Sequence, residues 1–239
     1  MNEGYLVRPL SPMRKVIAAR MSEAKRTIPH FRLMADIEVD ALLIRRAQLR
    51  QVRPGVVLSL NDLLIKATAQ ALMDVPEVNV QWADKELHQF VSADISIVTA
   101  VEGGLATPIV RQAEAKSVWE ISAEARELAA RAARNELRMD EILGGSFSIS
   151  NLGMYGVDQF DAVINPPQCA ILAIGTAKAR CVVSRDLQLR VATVMRVTLS
   201  ADHRAIDGVA GARFLAALRS CIEVPLKIGA EDVGAGCNA

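Results

Sequence analysis

The stretch Leu199-Ser-Ala-Asp-His-Arg-Ala-Ile-Asp-Gly-Val-Ala-Gly-Ala-Arg-Phe214 joins a strand to a helix through a short corner. Apolar and polar residues alternate up to Ala201, which predicts a strand, and apolar residues then recur at helical spacing. The corner between the two elements carries His203, Asp207 and Gly208. A histidine at such a corner has a fixed backbone behind it and can reach a cleft, as a general base must. His203 is therefore a candidate catalytic base.

Ordinary structural roles explain the same three residues. His203 can be a surface histidine whose hydrogen bonds are satisfied. Asp207 can orient His203, pair with a basic residue elsewhere, or only cap the helix that follows. Gly208 can be a permissive glycine beside that cap. The spacing of the residues leaves these alternatives open.

Length and composition exclude several classes of protein. The chain has 239 residues, of which 51% are hydrophobic, and a formal net charge of +1. Neither a nucleic acid nor an anionic membrane is expected as a partner, because the charge is balanced and only 4% of the residues are aromatic. No apolar run approaches the roughly 18 residues of a membrane span, and the first residues do not resemble a secretory signal. We expect a soluble protein of the cytoplasm.

The cysteines give no sign of a metal site or a disulfide framework. They form no C-x-x-C pair, and no histidine lies near them at the spacing of a metal ligand set. We expect reduced thiols and no bound metal. The cysteines are Cys169, Cys181, Cys221 and Cys237.

Helix and strand signals alternate along the chain without a linker-like segment. Ser11-Pro12, Ser59-Leu-Asn-Asp62 and Ser117-Val-Trp-Glu120 are helix starts, and residues 40–52 are expected to form another helix. We predict one α/β (α+β) domain with a mixed sheet, residues 11–228, between an N-terminal arm, residues 1–10, and a disordered tail, residues 229–239. The predicted strands lie near residues 31–39, 78–82, 87–91, 94–101, 107–110, 146–150, 169–174, 179–183 and 187–192, followed by the strand that leads to His203.

Ser150 is a second candidate site residue. It ends the alternating stretch Ser146-Phe-Ser-Ile-Ser150 and precedes a glycine-bearing loop, from where its hydroxyl could stabilise an oxyanion. The alternative is a strand serine that faces solvent. No G-x-S-x-G elbow marks a nucleophile, and no dinucleotide, Walker A or H-E-x-x-H motif is found. His30 and His88 are expected to be structural.

The element His203-Arg-Ala-Ile-Asp-Gly208 resembles the active-site signature of dihydrolipoamide acyltransferases, the E2 components of 2-oxo acid dehydrogenase complexes. These enzymes share a fold with chloramphenicol acetyltransferase. The resemblance extends from about residue 8 to residue 225, with the family's segments in the family's order. Those segments are Met13-Arg-Lys-Val-Ile-Ala-Ala-Arg-Met21, Ile28-Pro-His-Phe31, Gly104-Leu-Ala-Thr-Pro108, Gly144-Gly-Ser-Phe-Ser-Ile-Ser-Asn-Leu-Gly-Met-Tyr-Gly156 and Ile164-Asn-Pro-Pro-Gln168.

The resemblance implies acyl transfer between dihydrolipoamide and coenzyme A. His203 would take the proton from the attacking thiol, and Ser150 would hydrogen-bond the oxyanion. Asp207 would support the corner by pairing with Arg14. The resemblance also implies that Gly208 supports the site and that Asn151 contacts substrate.

The resemblance further implies a homotrimer whose active sites lie at the subunit interfaces, where His203 of one copy faces Ser150 of its neighbour. Coenzyme A and a lipoyl arm would enter from opposite ends, the arm being supplied by a lipoyl domain outside this chain. The loop after Ser150 is most similar to acetyl-transferring members of pyruvate dehydrogenase complexes, whose E1 and E3 components would be partners. The location would be the cytoplasm, or the mitochondrial matrix in a eukaryote.

Two departures from the family leave alternatives open. Full-length E2 chains carry a lipoyl domain and a subunit-binding domain upstream, whereas this sequence starts at the catalytic domain. Members that build large cores usually end in a leucine-rich anchor, whereas this chain is polar and glycine-rich after Ile228. We therefore expect higher-order assembly to be weakened, with an isolated trimer and a larger core as the two alternatives. The alternatives are a stand-alone CoA-dependent acyltransferase with a small acceptor, and a structural core subunit. The presence of His203, Asp207 and Ser150 counts against the latter.

Overall fold

The computed structural model describes residues 4–184, 186–226 and 228–229. Within these residues the chain forms helices and strands that alternate irregularly. The helices are α1 (Pro12–Thr27), α2 (Asp40–Val52), α3 (Leu60–Asp74), α4 (Val118–Ala133) and α5 (Gly208–Glu223). The strands are β1 (His30–Glu38), β2 (Val80–Ala83), β3 (Glu86–Gln89), β4 (Ile95–Ile97), β5 (Thr99–Val101), β6 (Gly104–Ala106), β7 (Ile109–Val110), β8 (Phe147–Asn151), β9 (Ala170–Val183) and β10 (Leu189–Asp202).

The main sheet has six strands in the order β1-β10-β9-β8-β4-β7. Strand β8 runs parallel to β9 and β4, and the remaining pairs are antiparallel, so the sheet is mixed, as predicted. Strands β2 and β3 form one separate hairpin, and β5 and β6 form another.

One side of the sheet, which we term the helix face, packs against α5, and α3 packs on α5 in turn. Leu33, Leu199, Leu172 and Ile149 are register partners across four strands on this face. Gly211 brings α5 close, since an added Cβ there would lie 2.7 Å from Leu33. Each large side chain buried in this layer contributes roughly 1.5–3 kcal/mol to stability.

The other side, which we term the loop face, is covered by the end of α1 and by residues 157–169. Ile171, on this face, packs with Ala24, Ile28 and Ile164. The stretch from residue 169 to residue 174 is consequently buried on both sides, as its continuous apolar sequence predicted.

Local helix signals were confirmed, whereas strand lengths were partly wrong. Helix α2 has the predicted bounds, and capping boxes start α3 at Ser59 and α4 at Ser117. The strand predicted over residues 94–101 is divided between β4 and β5, which belong to different sheets. The short strands predicted around residue 180 and residue 190 are the outer halves of β9 and β10. These strands pair with each other over their length, with one irregularity between Met195 and Val197.

The two ends of the described chain differ in packing. Residues 4–10, in the predicted arm, have no regular secondary structure and are exposed. Gly229, which the prediction placed in a disordered tail, is instead buried against Leu49, and Arg45 donates to its carbonyl oxygen at 2.8 Å. The rest of that predicted tail, residues 230–239, lies outside the described residues. No helix among those described is long and apolar enough to cross a membrane.

His30 connects the start of β1 to the loop that covers the sheet. Its Nδ1 atom donates to the Ile28 carbonyl oxygen at 2.9 Å, and its Nε2 atom accepts from the Ile164 amide at 3.1 Å. A neutral ring with its proton on Nδ1 satisfies both bonds. Burial lowers the pKa of His30, and the nearby cations Lys25 and Arg32 lower it further. Protonation would place an N–H against the Ile164 amide.

We predict that this histidine makes the protein less stable in mild acid. Its folded pKa lies below the unfolded value of about 6.5, so the unfolded chain binds more protons as the pH falls below that value. The stabilisation is complete above the unfolded pKa and is lost as the pH falls through the folded pKa. Between neutral pH and pH 5, the melting temperature should decrease less steeply with falling pH for His30→Gln than for wild type. His88→Gln, at an exposed histidine, should follow wild type. The same dependence of Tm on pH in wild type and His30→Gln would contradict the prediction.

Candidate active site

His203 lies in the exposed turn between the end of β10 and the start of α5. Its backbone amide donates to the Pro29 carbonyl oxygen at 3.1 Å, which ties the turn to the start of β1. Its ring lies against Phe31, with 4.5 Å between the ring centroids. The backbone is thus fixed from one side, and the imidazole faces solvent where a second molecule can reach it.

Asp202 anchors the same turn from the inside. Its side chain is 1% exposed, and it accepts from the Arg204 backbone amide at 3.0 Å and from the Arg204 guanidinium, whose Nη2–Oδ2 distance is 2.6 Å. The guanidinium also lies over the Trp82 ring, 4.5 Å from its centroid. No role was predicted for Asp202 from the sequence. The adjacent Asp-His-Arg pattern was a signal for this local ion pair.

Within the single chain, Asp207 and Arg14 have partners other than each other. Asp207 is exposed and accepts from the Ala210 amide at 2.8 Å, so it acts as the N-cap of α5. Arg14 instead donates to the Gly103 carbonyl oxygen at 3.4 Å, and no ion pair joins it to Asp207 within the described chain. Gly208 has open space around its Cα and lacks a positive φ, so neither crowding nor strain requires glycine there.

Ser150 lies near the end of β8 and is buried, with 8% of its surface exposed, so the solvent-facing alternative does not hold. By alternation its side chain shares the loop face with Ser148, whose hydroxyl donates to Gln168. None of the side-chain hydrogen bonds found in the described part of the chain uses the Ser150 hydroxyl, which leaves it available as a donor.

Asn151 has a local role in shaping the loop after Ser150. Its Nδ2 atom donates to Asn61 at 3.1 Å, and its Oδ1 atom accepts from the Gly153 amide at 2.9 Å. Gly153 in turn lies against the backbone of Gly175, because an added Cβ at Gly153 would lie 2.8 Å from the Gly175 carbonyl oxygen. Asn151 therefore positions the loop, and its predicted contact with substrate remains a prediction.

A single chain does not bring His203 and Ser150 together. Ser150 is in register with Ala173 and, through it, with Thr198, which precedes His203 by five residues. Two strand spacings and five residues along the strand place the two Cα atoms roughly 15–20 Å apart. The faces differ as well, because the His203 ring packs on Phe31, near Gly211 of α5 on the helix face, and Ser150 is on the loop face.

Other features of the described residues do not form a competing site. They include no group of three or more potential metal ligands. Cys169 and Cys181 are free thiols, and burial raises the pKa of the Cys169 thiol to about 12. A cavity of about 570 Å³ between the ends of α3 and α5 contains neither His203 nor Ser150.

Comparison with solved structures identifies the fold. A structure of chloramphenicol acetyltransferase is 15% identical and covers 85% of this chain and 94% of its own, with a TM-score of 0.54. Two structures match with a TM-score of 0.90 at 28% identity, over 95% of both chains. One is the dihydrolipoamide acetyltransferase of Azotobacter vinelandii, and the other is the cubic core of a pyruvate dehydrogenase multienzyme complex. The fold is that of the CoA-dependent acyltransferases.

The sequence assigns the chain to one family within this class. The profile of the family described as 2-oxoacid dehydrogenases acyltransferase (catalytic domain) matches residues 2–230. The acetyltransferase component of the pyruvate dehydrogenase complex from Rickettsia bellii is 44% identical, over 93% of this chain and 54% of the relative. That of Rhizobium meliloti is 47% identical, over 93% of this chain and 51% of the relative. The chain belongs to the 2-oxoacid dehydrogenase acyltransferase family, and it spans about half the length of these relatives.

We predict that two glycines near the site differ in their tolerance of a side chain. An added Cβ at Gly175 would overlap the Asp158 carbonyl oxygen, so Gly175→Ala should cost roughly 1–3 kcal/mol. Gly208→Ala meets no atom within 4 Å and should change stability by less than about 0.5 kcal/mol. Chemical denaturation measures both. A destabilised Gly208→Ala would show that the glycine is needed for a contact outside the single chain.

Proposed function

We propose that this chain transfers an acyl group between dihydrolipoamide and coenzyme A at sites formed by two neighbouring copies in a trimer. The observation that carries the proposal is the separation of His203 and Ser150 on opposite faces of one sheet. Each copy holds a base in the exposed turn after β10 and a buried hydroxyl near the end of β8. A second copy is needed to place the two groups around one substrate.

The proposed reaction requires no covalent intermediate on the protein. The His203 imidazole takes the proton from the attacking thiol, and the thiolate adds to the carbonyl carbon of the acyl thioester. The Ser150 hydroxyl donates to the resulting oxyanion. When the intermediate collapses, the C–S bond of the original thioester breaks, and the departing thiolate takes the proton back from His203. The reaction thus converts one thiol and one thioester into a new thioester and a new thiol.

Exposed apolar surface supports association between copies. Helix α1 has sixteen residues but buries only Ala24, and it leaves Val16 66% exposed. In the preceding segment, Leu6 and Val7 are more than four-fifths exposed. Apolar side chains exposed together in this way are typical of a protein–protein interface. We propose that a second copy of the chain covers them.

The names of the relatives support acetyl as the transferred group. Those of Rickettsia bellii and Rhizobium meliloti are named dihydrolipoyllysine-residue acetyltransferase components of pyruvate dehydrogenase complexes. We propose the same reaction here, with the lipoyl group presented by a lipoyl domain outside this chain and with E1 and E3 enzymes as partners. The relatives in Schizosaccharomyces pombe and Dictyostelium discoideum are named mitochondrial. The proposed location is accordingly the cytoplasm of a bacterium or the mitochondrial matrix.

We predict that His203→Ala lowers kcat by roughly 10²–10⁴-fold and Ser150→Ala by roughly 10²–10³-fold. The assay follows thioester absorbance with acetyl-CoA and free dihydrolipoamide. His88→Ala is the matched control, because His88 is an exposed histidine bonded to Glu86 at 2.9 Å. Retained activity in His203→Ala would refute the assignment of the base. A folded wild type inactive with lipoyl acceptors would redirect the search to other acceptors.

We also predict that the two inactive variants complement each other. When His203→Ala and Ser150→Ala subunits are mixed at random in a trimer, about a quarter of the interfaces combine an intact histidine with an intact serine. Activity should therefore recover to about a quarter of the wild-type value. Light scattering reports the size of the assembly in the same samples. If each chain holds a complete site, mixing will restore nothing.

A further inference from the structure

We propose that Asp202 is the residue that positions His203, through a clamp composed of Asp202, Arg204 and Trp82. The proposal rests on the function proposed above for His203. It takes the place of the expected pairing of Asp207 with Arg14, which does not form within the single chain. It assigns a role to the buried carboxylate that immediately precedes the proposed base.

The backbone of Asp202 closes the turn that carries His203. Its amide donates to the Cys169 carbonyl oxygen at 2.8 Å, which anchors the end of β10 to the segment before β9. Its carbonyl oxygen accepts from the amides of Ala205 at 3.1 Å and Ile206 at 2.9 Å. His203 lies inside this closed turn, so its Cα moves only if these bonds change.

The side chain of Asp202 adds further hydrogen bonds within the same turn. Oδ1 accepts from the Arg204 backbone amide and from Arg204 Nε, each at 3.0 Å, and Oδ2 accepts from Arg204 Nη2 at 2.6 Å. A carboxylate that is 1% exposed requires such a partner, since an unpaired buried charge is costly. The pKa of Arg204 is raised, chiefly by these hydrogen bonds. The residues before and after His203 are therefore bonded to each other across it.

Trp82 fixes the outer side of the clamp. Its ring lies beneath the Arg204 guanidinium, and its backbone amide donates to the Pro167 carbonyl oxygen at 3.0 Å. The aromatic face restricts the guanidinium to the plane in which it meets Asp202. On the other side of the turn, Phe31 packs against the His203 ring. The turn is thus held by two aromatic side chains, Trp82 through Arg204 and Phe31 through the imidazole.

Asp207 does not have a comparable environment. It is exposed, and its carboxylate accepts from the Ala210 amide at the start of α5. Asparagine serves nearly as well as aspartate in a helix N-cap, so the charge of Asp207 is not needed for this contact. Asp202 is instead buried, charged and bonded on both sides of His203.

The first test compares Asp202→Asn with Asp36→Asn in the full chain. Asp36 is a matched control, since it forms a two-point ion pair with Arg196, at 2.6 and 2.7 Å, on an exposed part of the sheet. A displacement of the base by about 1 Å can cost about 10²-fold in rate, so we expect Asp202→Asn to lower kcat by about that factor. The KM values for acetyl-CoA and for dihydrolipoamide should stay within about twofold of wild type, because no substrate contact is removed. Asp36→Asn should keep the wild-type kcat.

Hydrogen exchange provides a readout that does not depend on activity. The amides of Arg204, Ala205 and Ile206 all donate to Asp202. In Asp202→Asn, a peptide that includes these residues should exchange at least about tenfold faster than in wild type or Asp36→Asn. Unchanged exchange would refute the clamp, whatever the outcome of the assay.

A second pair of variants covers the case in which Asp202→Asn fails to fold. Trp82→Ala removes the support of Arg204 and leaves Asp202 intact, whereas Trp82→Phe retains an aromatic face. We expect Trp82→Ala to lower kcat and to speed exchange of the turn, and Trp82→Phe to restore most of both. Equal kcat in Trp82→Ala and wild type would overturn the proposal.

If wild type is active and His203→Ala is not, but Asp202→Asn is fully active, the clamp fails and the proposed function stands. If His203→Ala remains active, the assignment of His203 as the base fails, and hydrogen exchange still decides the clamp.

Discussion

Burial of the central sheet on both sides is the constraint on which the arrangement of the site depends. Strands β8, β9 and β10 present apolar side chains to α5 on the helix face. On the loop face they present Ile171 and otherwise small or polar side chains. Successive residues of a strand point to opposite faces, so neighbouring positions are separated by the thickness of the sheet. Ser150 points to the loop face, whereas the turn after β10 carries the His203 ring to Phe31 on the helix face. One copy of the chain consequently carries both groups but cannot bring them together.

Local elements of the fold could be predicted from the sequence, and elements that depend on distant partners could not. The capping boxes at Ser59 and Ser117 involve residues three positions apart, so the sequence contains the whole interaction. The outer half of β9 forms because β10 supplies its hydrogen bonds, although its side chains there are largely exposed. The break after Ile97 occurs because β4 pairs with β8 while β5 pairs with β6. Neither pairing leaves a periodic signal within the strand.

The same distinction applies to the site. The sequence pointed to His203 and Ser150 as candidates, but it did not predict that Ser150 is buried. The loop face on which Ser150 lies is covered in part by residues 157–169, a loop without periodicity. The expected contact between Arg14 and Asp207 depended on where α1 lies, and α1 places Arg14 near Gly103 instead. The pair that does form, Asp202 with Arg204, joins residues two apart. Its importance became visible only when the structure showed that Asp202 is buried.

A site divided between copies couples the chemistry to assembly. Apolar surface on α1 and on the segment before it lies unburied in the single chain, and its burial against a neighbour would contribute roughly 25 cal/mol per Å². Under the proposed function, the same association places His203 beside Ser150, so the free energy of association also orders the reacting groups. A substitution on α1 would then lower activity by dissociating the trimer, and higher protein concentration would reverse the loss. A substitution in the clamp would lower activity at every concentration, because it displaces the base within an intact assembly.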